Sequence, residues 1–272
     1  MSEVRAIFIT GGASGIGRAT ARLFAGRGWR VGIADVNEAM LGETEASLPG
    51  VHHRYVMDVR DRDAWRDSLA AFVQESGGRL DVLFNNAGIG TGGPLAQASF
   101  DDLDRTVAIN FTGVLNGARI GYEHLARTPG SCLLNTASAS AIYGSAGLAT
   151  YSATKFAVRG LSEALDGEWF GAGIKVRALI PGFIETPLLD HVPPGSNRTI
   201  RETVTAAGME LTSVETVAEA AWRAVHGSLE RGAVHTYVGP TAHRLARAAR
   251  WFPGLLRRRM RGGARGRRGA RS

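Results

Sequence analysis

The chain has 272 residues, 44% of them hydrophobic, enough to bury one large core in a single α/β domain. Its formal charge of +7 is uneven: residues 244–271 hold eleven arginines and no acid, so the other 21 basic residues face all 25 acidic ones and residues 1–243 carry a net −4. A mildly acidic body argues against nucleic acid as the main ligand, the absence of a long apolar run argues against secretion and membrane spanning, and the single Cys132 excludes an internal disulfide, so a cytoplasmic protein is expected.

Short apolar runs at residues 6–9, 31–34, 51–57, 82–84, 132–134, 174–180 and 234–238 alternate with longer amphipathic stretches, among them 15–27, 61–75, 100–126 and 151–170. Strands buried on both faces read as continuous apolar runs, and the stretches between them are long enough for helical crossovers. The pattern predicts a doubly wound, Rossmann-type α/β fold, a seven-stranded parallel sheet with helices on both faces, forming one domain over residues 1–240.

The first strand runs into Thr10-Gly11-Gly12-Ala13-Ser14-Gly15-Ile16-Gly17, followed by a helical pattern. A glycine loop at a strand-to-helix junction lets backbone approach a pyrophosphate, whose charge is met by free N–H groups and the helix dipole. Eighteen residues beyond Gly17, Asp35 closes the second strand, where a carboxylate accepts from both adenosine ribose hydroxyls and repels a 2′-phosphate. Ser14 and Val36, rather than Arg or Lys, stand before Gly15 and after Asp35, so NAD is expected over NADP.

Further along, Ser138 follows the fifth strand and Tyr151-Ser-Ala-Thr-Lys155 opens a helix. Tyr151 and Lys155 are i and i+4 and share a helix face, so the ammonium is expected to lower the phenol from its ordinary value of ~10 toward a range useful for proton transfer. Ser138 is placed to donate to a substrate oxygen, and Lys155 to hold the nicotinamide ribose as well.

These residues together resemble the classical short-chain dehydrogenases/reductases over residues 4 to about 240. The family's glycine motif is matched by Thr10, Gly11, Gly15 and Gly17, and its adenine-side acid by Asp58-Val59. Its Asn-Asn-Ala-Gly is present as Asn85, Asn86, Ala87 and Gly88, its helix asparagine as Asn110, and its catalytic set as Ser138, Tyr151 and Lys155. Pro181-Gly182 follows the sixth strand, with Ile184 and Thr186 placed for the carboxamide. The resemblance implies NAD-linked hydride transfer at an alcohol or ketone carbon with Tyr151 as acid/base, a proton relay through water held by Asn110, no metal, and a homotetramer or homodimer built on helices 100–126 and 151–170.

In this family the stretch after the sixth strand folds over the substrate, here residues 182 to about 232. Ile142 and Tyr143, with Phe183, Leu188 and Leu189, suggest a hydrophobic pocket for a long-chain, steroid-like or lipid-derived alcohol or ketone, and His191 is a further candidate. Beyond the last strand, residues 241–272 form a basic extension, with an amphipathic helix over 242–260, a break at Pro253-Gly254 and disorder expected from about 262. Its expected role is peripheral contact with a membrane, packing on a subunit or capping the substrate entrance. Two rival readings are an NAD-binding protein with incidental redox activity, tethered by its basic tail to membrane or nucleic acid, and an isomerase using NAD transiently.

Overall fold

A computed structural model of the chain describes residues 4–190, 192, 197–206 and 208–266. Seven strands, β1 (Ala6–Thr10), β2 (Arg30–Asp35), β3 (His52–Val56), β4 (Val82–Asn85), β5 (Cys132–Thr136), β6 (Lys175–Pro181) and β7 (His235–Val238), form one sheet in the order β3-β2-β1-β4-β5-β6-β7. Every pairing is parallel. The helices are α1 (Gly15–Gly26), α2 (Glu38–Glu45), α3 (Arg62–Glu75), α4 (Phe100–Val107), α5 (Gly113–Ala126), α6 (Ala149–Trp169), α7 (Ile200–Ala206), α8 (Val214–His226), α9 (Pro240–Trp251) and α10 (Pro253–Gly266). The seven-stranded doubly wound architecture is the one predicted.

Alternation along the central strands divides the core into two layers. Ile7, Ile9, Ile33, Phe84 and Leu134 pack with Phe24, Leu41 and Val217 on one face, while Phe8, Leu83, Leu133 and Val176 pack with Trp65, Leu69, Phe72 and Leu165 on the other. Edge strand β3 is covered less well, with His52, His53 and Tyr55 half-buried and Arg54 and Val56 exposed. Trp65 and Trp169 are buried, as packing residues should be.

Strand order reverses at β1, whose neighbours β2 and β4 lead to opposite halves of the sheet. In open α/β sheets such a switch point leaves a crevice beyond the carboxyl ends of the strands. The glycine loop leaves β1 there, and Asn86 to Gly88 leave β4 beside it.

Three features differ from the sequence expectation. The stretch 182–232 is not all cover: α8 carries buried Val217, Ala218, Ala220 and Ala221 and packs on α1 as part of the core. The predicted helix over 100–126 contains a π-helical segment, Ala108–Thr112, where α4 passes into α5. Helix α10 continues to Gly266, past residue 262 where composition predicts order to end, because Pro253 starts a new helix after the chain turns at Phe252. No described helix is long and apolar enough to cross a membrane.

Candidate active site

The loop after β1 is shaped by contacts that only glycine allows. Gly11 and Gly15 have φ of +67° and +50°. A Cβ on Gly11 would lie 2.9 Å from the Ala87 Cα, and one on Gly17 only 2.1 Å from the Gly11 carbonyl oxygen. Gly17 does not line the cleft; it lets α1 close onto the loop, so its place is packing rather than the ligand contact that the motif suggests. Ser14 caps α1 in extended conformation without a side-chain hydrogen bond, and the first turn holds no acid. The opening N–H groups of α1 therefore remain available to an anion.

Side chains brace this cradle from behind. Thr10 Oγ1 accepts from the amides of Asn86 and Ala87, both at 3.1 Å. Asn86 Nδ2 donates to the Thr10 carbonyl at 3.0 Å, and its Oδ1 accepts from Thr136 Oγ1 at 3.1 Å. Asn86 thus joins the ends of β1, β4 and β5, and its side chain is committed to the scaffold. Arg18 donates from Nε to the Ala13 carbonyl at 2.9 Å and to Thr44 Oγ1 at 2.8 Å, fixing the outer loop.

Asp35 lies at the end of β2 with one oxygen accepting from Ala13 N at 3.2 Å and the other from Asn37 N at 3.1 Å. A carboxylate has about four lone-pair sites, so acceptor capacity remains toward the cleft that Asp35 and Val36 line. Asp58 and Val59 also line it. Arg60, which the sequence motifs do not single out, grips both oxygens of Asp58 at 2.6–3.0 Å and holds that carboxyl below its ordinary range.

At the other end of the cleft, β5 delivers Ser138 and the first turns of α6 deliver Tyr151 and Lys155. Lys155 is 3% exposed, donates from Nζ to the Thr136 carbonyl at 2.9 Å, and lies 5.7 Å from the centre of the Tyr151 ring. Burial lowers its ammonium from 10.5 to about 8. Burial also raises the Tyr151 phenol, and a hydrogen bond from Ser138 pulls it partly back. This corrects the expectation that the lysine lowers the phenol: enclosure dominates, and the group countering it is Ser138.

Asn110 sits within the π-helical segment, fully buried, and clasps the backbone of Ile89: its Oδ1 accepts from Ile89 N at 2.8 Å and its Nδ2 donates to Ile89 O at 2.9 Å. Single π-turns inside α-helices recur at functional sites. Gly88 separates Asn110 from Lys155, since a Cβ there would lie 3.2 Å from Asn110 Oδ1 and 3.5 Å from Lys155 Nζ.

Between these ends runs one cleft of about 550 Å³. Gly11, Ser14, Gly15, Ile16, Ala87, Pro181, Gly182, Ile184 and Thr186 line it with Asp35, Val36, Asp58, Val59, Arg60, Asn86, Gly88, Ser138, Tyr151 and Lys155, while Asn110 stands behind its wall. Phe183, Leu188 and Leu189 are there too, with Ile200 from the apolar stretch expected to cover the substrate, joined by Ile89 and Leu148, which the sequence reading misses because no motif marks them. Ile142 and Tyr143 are not: Ile142 packs with Val114, Ala137 and Val158 behind the Ser138 turn. His191 lies outside the described residues.

A family model described as short chain dehydrogenase matches residues 5–197. The chain belongs to the short-chain dehydrogenase family. Among its relatives, the 3-oxoacyl-[acyl-carrier-protein] reductase of Thermotoga maritima is 36% identical over 201 residues, 72% of this chain and 81% of that protein. The meso-2,3-butanediol dehydrogenase of Serratia marcescens is 34% identical over 190 residues, 70% and 75% of the two chains. The crystal structure of the 3-ketoacyl-(acyl-carrier-protein) reductase of Brucella melitensis complexed with NADH superimposes with a TM-score of 0.80 at 27% identity, covering 89% of this chain and all of that one. This short-chain dehydrogenase is therefore an oxidoreductase of the alcohol dehydrogenase/ketoreductase class, and the glycine cradle and open helix end fit the nicotinamide dinucleotide that the family uses.

Proposed function

We propose that the protein is an NAD(H)-dependent dehydrogenase or ketoreductase acting on a hydrophobic secondary alcohol or ketone, with Tyr151 as its general acid/base. The observation that carries this is the meeting of Ser138, Tyr151 and Lys155 at one end of a cleft whose other end is formed by the glycine loop and Asp35. Bound in that cleft, the nicotinamide supplies a hydride acceptor or donor at carbon. Tyr151 takes the alcohol proton during oxidation and returns it during reduction. Ser138 has one hydroxyl proton, which faces the Tyr151 oxygen in the free protein and is donated to the substrate oxygen once substrate binds, stabilising charge as it develops there. Lys155, with donors left beyond its bond to Thr136, holds the nicotinamide ribose and supplies positive charge beside the phenol. Asn110 holds the Ile89 turn and the π-segment open for a water that passes protons to Lys155.

Asp35 supports NAD over NADP, because a 2′-phosphate would meet its carboxylate. The relative from Brucella melitensis, solved with NADH, agrees with this choice. The names of the relatives run from a small diol to an acyl chain, and the apolar wall of Ile89, Leu148, Phe183, Leu188, Leu189 and Ile200 supports the larger, greasier end of that range. A screen of secondary alcohols followed by NADH absorbance, repeated with NADP⁺, tests both choices; turnover confined to small polyols would refute the hydrophobic substrate.

A homodimer or homotetramer in the cytoplasm fits the surface, where Phe100 is 83% exposed and Val107, Leu115 and Phe156 are each 42% exposed on α4 to α6. The basic extension adds a peripheral membrane contact.

A further inference from the structure

The extension after β7 is seated on the body at its start. Ala242 is fully buried, the Tyr237 and His243 rings lie 5.9 Å apart, and a Cβ on Gly182 would come within 3.2 Å of Thr241. Further on, Leu256 tucks in at 6% exposure while its amide donates to the Phe252 carbonyl at 3.1 Å. The turn from α9 into α10 is thus a defined elbow, not a loose end.

At that elbow Trp251, Phe252 and Leu255 are 62–66% exposed. Arg244, Arg247 and Arg250 precede them on α9 and Arg257, Arg258 and Arg261 follow on α10, all exposed, and among the described residues none pairs with an acid. Arginines elsewhere do pair, as Arg27 does with Glu219 and Arg159 with Glu163. Arg250 instead lies over the Trp251 ring, 5.2 Å from its centre. Apolar side chains held out at a corner between two helices rich in unneutralised arginine carry a cost in water unless something covers both.

We infer that this elbow docks on an anionic lipid bilayer, with Trp251, Phe252 and Leu255 entering the headgroup–acyl boundary and the arginines meeting lipid phosphates. Indole and phenyl rings favour that boundary, and basic residues beside them are drawn to anionic headgroups. A second copy of the chain fits poorly, because two-fold pairing would set the same arginines against each other. Nucleic acid would satisfy the arginines but gives Leu255 no hydrocarbon to enter. Helix α9 is twelve residues long, about 18 Å, and starts beside Gly182, so docking brings the cleft within roughly 20 Å of the lipid. The inference stands apart from the hydride-transfer reading.

The test is flotation of the full-length protein with phosphatidylcholine vesicles and with vesicles in which roughly a third of the lipid is phosphatidylglycerol, at about 0.1 M salt. The anionic vesicles should carry up roughly ten times more protein. That excess should fall about fivefold or more in the Trp251→Ala/Phe252→Ala/Leu255→Ala variant and in the Arg250→Gln/Arg257→Gln/Arg258→Gln variant. These side chains are exposed, so both variants should keep the wild-type melting temperature. Trp251→Phe should still float but lose the part of the fluorescence quenching by brominated lipid that Trp251 contributes. Equal flotation with neutral and anionic vesicles overturns the inference. So does an apolar variant that floats like wild type while the arginine variant does not, with duplex DNA as an efficient competitor, which would mark a plain polyanion site. A drop in subunit number of the apolar variant without lipid would assign the elbow to a second copy instead.

Discussion

Lys155 lies 5.7 Å from the centre of the Tyr151 ring, one helical turn away, yet its hydrogen bond goes to the Thr136 carbonyl and not to the phenol. Thr136, at the end of β5, fixes the cation beside the phenol. Keeping an ammonium at 3% exposure destabilises the fold.

That cost gives the first prediction. The folded protein holds the Lys155 proton less tightly than the unfolded chain, about 8 against 10.5. The penalty is fully present below pH 8 and is relieved as pH rises toward 10.5, at most roughly 3 kcal/mol. Lys155→Met should therefore raise the melting temperature at pH 7 by a few degrees, less whatever the lost bond to Thr136 contributes, while lowering kcat by about two orders of magnitude or more. A melting temperature that falls together with activity would show that Lys155 is a structural anchor.

The pH dependence follows from Tyr151. Burial raises its phenol, so the ionised fraction is small at pH 7 and grows about tenfold per unit as pH rises. With NAD⁺, log kcat/KM for alcohol oxidation should climb with a slope near +1 between about pH 6 and 8, then flatten as Lys155 loses its proton. Ketone reduction, which needs the protonated phenol, should stay flat over that range and fall only as Lys155 loses its proton. Initial rates in both directions check this, and an oxidation profile flat from about pH 6 to 8 would contradict it.

Asp35 accepts two backbone amides and borders the cleft, so replacing it tests cofactor choice without touching the chemistry. Asp35→Ser should shift the NAD/NADP ratio of kcat/KM by about tenfold to a hundredfold toward NADP. A ratio that does not move would place the discrimination elsewhere, with Arg60 next to examine.

Gly17→Ala tests the cradle. The new methyl would sit 2.1 Å from a backbone oxygen that has no room to yield. Stability should fall by about 1–3 kcal/mol, and the dissociation constant for NADH, read by fluorescence titration, should rise at least about tenfold. Unchanged NADH binding would separate the loop from the cofactor.

Much of this was legible in the sequence because it depends on local chemistry. Continuous apolar runs such as 82–84 announce buried parallel strands, the glycines after Thr10 announce a loop where backbone must come close, and Tyr151 and Lys155 share a face by spacing alone. What escaped depends on through-space packing. The π-segment around Asn110 reads as ordinary helix, since one extra residue in a turn leaves no compositional mark. Thr136 acts through its carbonyl, which every residue possesses. Arg60 enters the site only because its side chain folds back on Asp58, and Ile142 leaves it because the turn after Ser138 points that side chain into the core. Helix α8 is amphipathic and was readable, but the expectation of one long substrate cover concealed it.

The central claim, proton transfer through Tyr151, is tested most directly by Tyr151→Phe with any alcohol that the wild type oxidises, measured beside NADH binding. The phenyl ring keeps the aromatic side chain in place and removes only the hydroxyl that Ser138 reaches. The account predicts turnover lowered by about a thousandfold or more with the NADH dissociation constant within about threefold of wild type. Turnover within about tenfold of wild type, with cofactor binding intact, would contradict it.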